Sequence, residues 1–204
     1  MKKWTLVGVS GLALLAIAGG IVFYGVAANS ESRSHDISEK AAKSLQSKID
    51  AIKKASDNPN HKRGSARVQL SESELESYVF YSLKDDIPAH IDSVEVQAGE
   101  DTVGCDTQIT FNSNATGNPV FDTLVGGTHN LSLKGKLIAR DSRGRFDLQE
   151  VRVDGIPVPN VLIQALIKRY VKPKYPEVDL NEPFDLPWDI QEVKLEPGKA
   201  TVVY

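Results

Sequence analysis

The chain has 204 residues, of which 41% are hydrophobic and 25% charged, with a formal net charge of −3 and an isoelectric point near 5.8. That balance suits one globular domain with appendages and excludes a generally disordered chain, and without a clustered basic face there is no electrostatic case for a nucleic-acid partner. Cys105 is the single cysteine, which excludes an intramolecular disulfide and a thiolate metal cage.

The first element is an uncharged apolar run from Trp4 to Ala28, preceded by Lys2 and Lys3. A run of about 25 residues is long enough to cross a hydrocarbon core of about 30 Å as a helix. The positive-inside rule keeps the short N-terminus in the cytoplasm and puts everything after Asn29 on the far side. A cleaved secretory signal ending at Val26-Ala27-Ala28 is the rival reading, but the apolar part of a signal spans only about 7 to 15 residues. Residues 1–28 are therefore expected to be an uncleaved transmembrane anchor, and either reading exports the rest of the chain.

Residues 29–64 are polar, yet DISEKAAKSLQSKIDAIKKA places Ile37, Ala41, Leu45, Ile49 and Ile52 at helical spacing behind Asp36, an N-cap candidate. Two heptads fall short of a coiled coil, so this narrow amphipathic helix is expected to be a solvated stalk, ended by Asn58-Pro59 and a hinge at HKRGS. The globular domain, residues 65–204, starts with a strand at 66–70. Ser71 and Glu74 then stand in capping-box relation ahead of a helix over about 72–84.

From His90 the period changes to two. Val103, Cys105, Thr107, Ile109 and Phe111 share one strand face, and Leu131, Leu133, Leu137 and Ala139 share another, with Gly135 on that apolar face and Ile138 out of pattern. Asp141-Ser-Arg-Gly144 supplies a hairpin turn into RFDLQEVRVD, where the apolar parity shifts from Phe146 and Leu148 to Val151 and Val153 and predicts a bulge at Gln149 or Glu150. GIPVPNVLIQALIKRYVKP predicts a helix over 157–172 with an unusually wide apolar surface. After a proline-punctuated loop, WDIQEVKL and KATVVY form a closing hairpin around Pro197-Gly198, the type II signature. The order implies an α+β fold with a bent antiparallel sheet gripping helices on one face.

No nucleophile elbow, zinc-protease helix, phosphate loop or dinucleotide fingerprint occurs. His35, His61, His90 and His129 are scattered, and Asp85, Asp86, His90 and Asp92 read as turn and cap residues around Ile87-Pro88. Cys105 reads as a small core residue, and Asn114 and Asn130 begin glycosylation sequons. No catalytic residue, metal site or cofactor is expected, and the chain is expected not to be an enzyme.

VQLSESELESYVF, GKLIARDSRGRFDLQEVRVDGIPVPNVLIQALI and FDLPWDIQEVKLEPGKATVVY together resemble the bacterial membrane-anchored TULIP/SMP-like proteins, with the YpmS-like and LmeA-like families nearest. The resemblance spans roughly residues 66–204, and its motifs are structural, a GIPVP helix start and a closing hairpin. It implies half of a tubular lipid-binding fold, a curved antiparallel sheet wrapped around one or two helices, and carries over no catalytic residue. The polar stalk has no counterpart in it.

The expected function is thus a non-catalytic, membrane-anchored lipid-binding module on the outer side of a bacterial cell membrane, crossing it once. Val158, Leu162, Leu166, Ile167 and Tyr170 of the helix and Leu133 and Leu137 of the sheet are expected to line the lipid groove, with Lys168, Arg169 and Lys172 meeting the headgroup. For each of these cations, favourable placement at a helix C-terminus is the bland explanation. The alternative is a single-pass envelope scaffold whose exposed apolar surface binds protein partners or a second copy of itself.

Overall fold

The computed structural model describes residues 37–82, 90–111, 127–166, 168 and 182–204. The expected membrane anchor, Asp85, Asp86, Asn114, Ile167, Arg169, Tyr170 and Lys172 lie outside the described residues. No helix among those described is long and apolar enough to cross a membrane.

Helix α1 (Glu39–Ser56) starts at Ser38, whose side chain accepts from the Ala41 N–H, with Glu39 in the first turn and Lys53 and Lys54 in the last, all suited to the helix dipole. Strand β1 (Arg67–Ser71) leads straight into α2 (Glu72–Ser82). The expected capping box is present in both directions: the Glu74 N–H donates to Ser71 Oγ at 3.2 Å, and the Ser71 N–H donates to Glu74 Oε2 at 3.0 Å. Strands β2 (His90–Ala98), β3 (Thr102–Phe111), β4 (Gly127–Arg140) and β5 (Arg143–Val153) form a meander. The short β6 (Ile156–Pro157), helix α3 (Asn160–Leu166), short β7 (Phe184–Asp185), β8 (Glu192–Glu196) and β9 (Lys199–Val203) complete the chain.

All nine strands belong to one antiparallel sheet, ordered β1-β9-β8-β4-β3-β2, with β5 on the other side of β4 and β6 and β7 both on β5. The long β4 is the branch point: β3 pairs along its first part, and β8 touches it only at Ala139–Val193. The alternation expected for β4 is observed, with Leu131, Leu133, Gly135, Leu137 and Ala139 buried and Ile138 on the outer face. Gln149 is the extra residue of the expected bulge, since Lys134 pairs with Glu150 and Gly135 with Leu148. The β4–β5 turn puts both Asp141 and Ser142 at positive φ, as a two-residue hairpin of right-twisted strands requires, and Gly198 at φ +82 closes the final turn.

A second bulge, at Asp92, was not legible in the sequence. Ile91 pairs with Ile109 and Ser93 with Gln108, and Thr107 Oγ1 donates to the Ser93 carbonyl at 2.6 Å, occupying a backbone acceptor that the bulge takes out of the ladder.

The main correction concerns α1. Its apolar stripe, Ala42, Leu45, Ile49 and Ile52, is buried, and Leu45, Ile49 and Ile52 share a core cluster with Leu70, Leu137, Phe146, Ile190, Val193 and Val202. It is not a solvated stalk. Two heptads are too short for a coiled coil, but the stripe is enough to cover one sheet face. The expected hinge is pinned as well: Ala66 exchanges backbone hydrogen bonds with Tyr204, Arg63 pairs with Asp189 at 2.6 Å, and His61 stacks on Tyr204. Among the described residues, the folded body therefore includes residues 38–64 as well as 65–204.

Candidate functional site

The inner face of the sheet has two ends with different covers. At the β1-β9-β8 end, α1 and α2 lie over it, and between them sits an apolar cavity of about 80 Å³ lined by Leu45, Ile49, Val79, Leu137, Phe146 and neighbouring apolar side chains. Water there would find almost no hydrogen-bond partner, so the cavity is dry. At about 24 cal/mol per Å³, leaving such a void unfilled costs roughly 2 kcal/mol. Phe146 forms its near wall, with its ring lying directly over Gly135, where any Cβ would collide with it. The missing side chain at Gly135 thus admits an aromatic ring from the neighbouring strand rather than a close backbone.

At the other end, β6 folds back along β5, with Ile156 opposite Val153 and the Val158 N–H donating to the Val151 carbonyl at 2.9 Å. Val158 is thus level with Val151 and hence with Leu133 one strand further in, and helix α3 begins two residues later. Ile163 is buried, but Ile156, Val161 and Leu162 are 60%, 79% and 42% exposed, an unusual concentration of large apolar side chains at the surface.

The residues expected to line one lipid groove are therefore divided. Leu133 and Val158 lie toward the β5 edge and Leu162, on α3, is partly in solvent, whereas Leu137 lines the cavity under α1. Lys168 is exposed, as a headgroup contact would have to be. Leu166 closes the described part of α3.

Sequence reasoning missed the polar groups that hold the helices in place. Glu74 is the centre of a knot: Lys48 Nζ reaches both of its oxygens, at 2.6 and 2.7 Å, and Ser44 Oγ donates to Oε1 at 2.6 Å. Burial opposes ionisation of this carboxyl, but the hydrogen bonds from Lys48, Ser44 and the Ser71 N–H outweigh it and hold it below its ordinary range. Glu72 and Glu76, one turn apart on α2, accept the Ala98 and Val96 N–H groups at 2.6 and 2.8 Å. Those donors point off the free edge of β2, so the two carboxylates cap an edge that would otherwise template pairing with another chain. Their spacing was visible; the strand they serve, some twenty residues on, was not.

Two further titratable pairs are structural. His129 Nδ1 lies 2.9 Å from Asp154 Oδ2, and Asp154 Oδ1 takes the Asn130 N–H, which ties the left-handed turn after β5 to the start of β4. Burial opposes the Asp154 charge, and the His129 and Asn130 contacts prevail, lowering its pKa. His90 pairs loosely with Asp92 at 3.7 Å. Cys105 is buried, and burial with the nearby acids Asp106, Glu76 and Glu95 pushes its thiol up to about 12, the opposite of a reactive thiolate. Among the described residues no three His, Cys, Asp or Glu side chains converge as metal ligands.

No family model and no curated protein matches the chain. Among solved structures it has a weak likeness to a crystal structure of lipopolysaccharide binding protein, with 12% identity and a TM-score of 0.23, over 67% of this chain and 39% of that one. A likeness that small carries neither fold nor function across.

Proposed function

We propose that the protein is a non-catalytic, membrane-anchored module that binds the acyl part of a lipid outside the cytoplasm, on a curved, half-TULIP-like sheet. The observation that carries this reading is the exposure of large apolar side chains in one stretch of chain, Ile156, opposite buried Val153 at the sheet edge, and Val161 and Leu162 on the helix that follows. Each acyl methylene desolvated there contributes about 0.8 kcal/mol, so a short stretch of chain suffices for binding without covalent chemistry. Lys168, with Arg169 and Lys172 further along the sequence, supplies cations for a phosphate headgroup beside that surface.

The test is native mass spectrometry of the full chain purified with vesicle lipids, followed by organic extraction. Lipid at about one per chain is expected, and Leu162→Arg, at an exposed position, should reduce it while leaving the fold intact. Protein that stays lipid-free in the presence of excess phospholipid would overturn the reading and leave the same exposed group as a contact for an envelope protein partner.

A further inference from the structure

We propose that α1 is a displaceable cover, seating its own apolar stripe where an acyl chain would otherwise lie, with Glu74 as the latch that sets how often it lifts. This rests on the lipid-binding reading, that an apolar ligand occupies the inner face, and adds where its tail goes and what must move.

Several independent observations converge on α1. The cover fits incompletely: the dry cavity lies between its Leu45 and Ile49 and the sheet residues Leu137 and Phe146. The helix takes no part in any strand pairing, so lifting it breaks no ladder. It is followed by the turns of residues 57–65, where Gly64 at φ +76 adopts a backbone conformation that most residues avoid.

Its polar attachments lie on both flanks of the apolar stripe, Ser44 and Lys48 on one and Gln46 and Lys53 on the other. Ser44 and Lys48 bind Glu74, Lys48 also donates to the Gln69 carbonyl, and Gln46 accepts from the Tyr78 hydroxyl at 3.1 Å. At the N-terminus the Ser38 N–H donates to Ser77 Oγ, and near the far end Lys53 sits over the Trp188 ring, 4.7 Å from its centroid. The exposed side carries Lys40, Lys43 and Lys54 against Glu39 and Asp50. Once lifted, such a helix is an amphipathic segment suited to an anionic bilayer surface, which would offset the loss of its seat.

The tail's route is along the inner face of β4. The row there runs Leu133, Gly135, Leu137, from the level of Val158 to the cavity wall, a distance of about 13 Å for four strand residues. The Phe146 ring over Gly135 stands across it and would have to turn aside. Filling the seat with acyl carbons and seating α1 are therefore mutually exclusive.

The experiment uses the full chain and a 16-carbon fatty acid carrying a diazirine, with hydrogen exchange read alongside. In Glu74→Gln, α1 amides are expected to exchange at least roughly tenfold faster, the loss of charge-assisted bonds being worth about that factor, while β3 and β4 amides keep their rates. Acceleration of all elements together would mean that α1 opens only with the whole fold, and would overturn the proposal.

In the double variant Ser44→Cys, Glu74→Cys, joining the thiols with a short bismaleimide replaces the latch by a covalent one, and buried Cys105 stays out of the reaction. Photolabelling of peptides containing Leu137 and Phe146 should then fall by about tenfold or more against the unjoined variant. Equal labelling in both forms overturns the cover and leaves the lipid reading standing. No labelling in either form overturns both.

Discussion

The two ends of the inner sheet face solve the same problem differently. Under α1 and α2, apolar rows of the sheet meet an apolar stripe, a ring of polar contacts seals the rim, and only the small cavity is left over. On α3 Ile163 is buried, but Val161 and Leu162 remain exposed. The width of an apolar surface therefore does not identify the helix that closes a core. A narrow stripe on a polar helix was enough, because one sheet face needs about 100° of cover.

That contrast predicts a gradient of mutational effects. The largest should be at α1: Ile52→Ala, at a side chain only 1% exposed, should cost about 2 to 5 kcal/mol in chemical denaturation. A solvated stalk would lose almost nothing, so a change below about 0.5 kcal/mol would return α1 to that role.

Glu74→Gln comes next, at about 1.5 to 3 kcal/mol in the free energy of α1 opening read by hydrogen exchange, for the loss of charge-assisted hydrogen bonds at a side chain 12% exposed. Its effect should depend on pH. The folded carboxyl lies below its ordinary 4.5, so the unfolded chain takes up the proton first. The stabilisation is present in full above about pH 4.5 and is lost as pH falls through the lower folded-state value, and the acid limb of the stability curve should flatten in the variant. Parallel acid limbs in the two proteins would remove Glu74 as its source.

Gly135→Ala should cost about 1 to 3 kcal/mol because its Cβ meets the Phe146 ring, and a smaller residue at 146 should recover part of that loss. An unchanged melting temperature would show that the ring moves aside freely. The smallest effect should be Leu162→Arg, within about 0.5 kcal/mol in denaturation, while lipid uptake falls. A large loss of stability there would make Leu162 a core residue and remove the contrast between the two ends.

What the sequence determined by itself were the elements whose causes are local. The capping box at Ser71 and Glu74, the alternation of β3 and β4, the turn at Asp141 and Ser142 and the bulge at Gln149 all depend on residues within a few positions of one another. The tertiary structure alone decided the destinations. Nothing near α1 states that its stripe lies against Leu137 and Val202, nothing near Glu72 and Glu76 names the edge of β2, and nothing near Gly135 names the Phe146 ring. The physical reason is that burial and backbone hydrogen bonding are satisfied by whichever partner the chain topology brings close. An apolar stripe or a pair of carboxylates states a need, and only the folded arrangement selects what meets it.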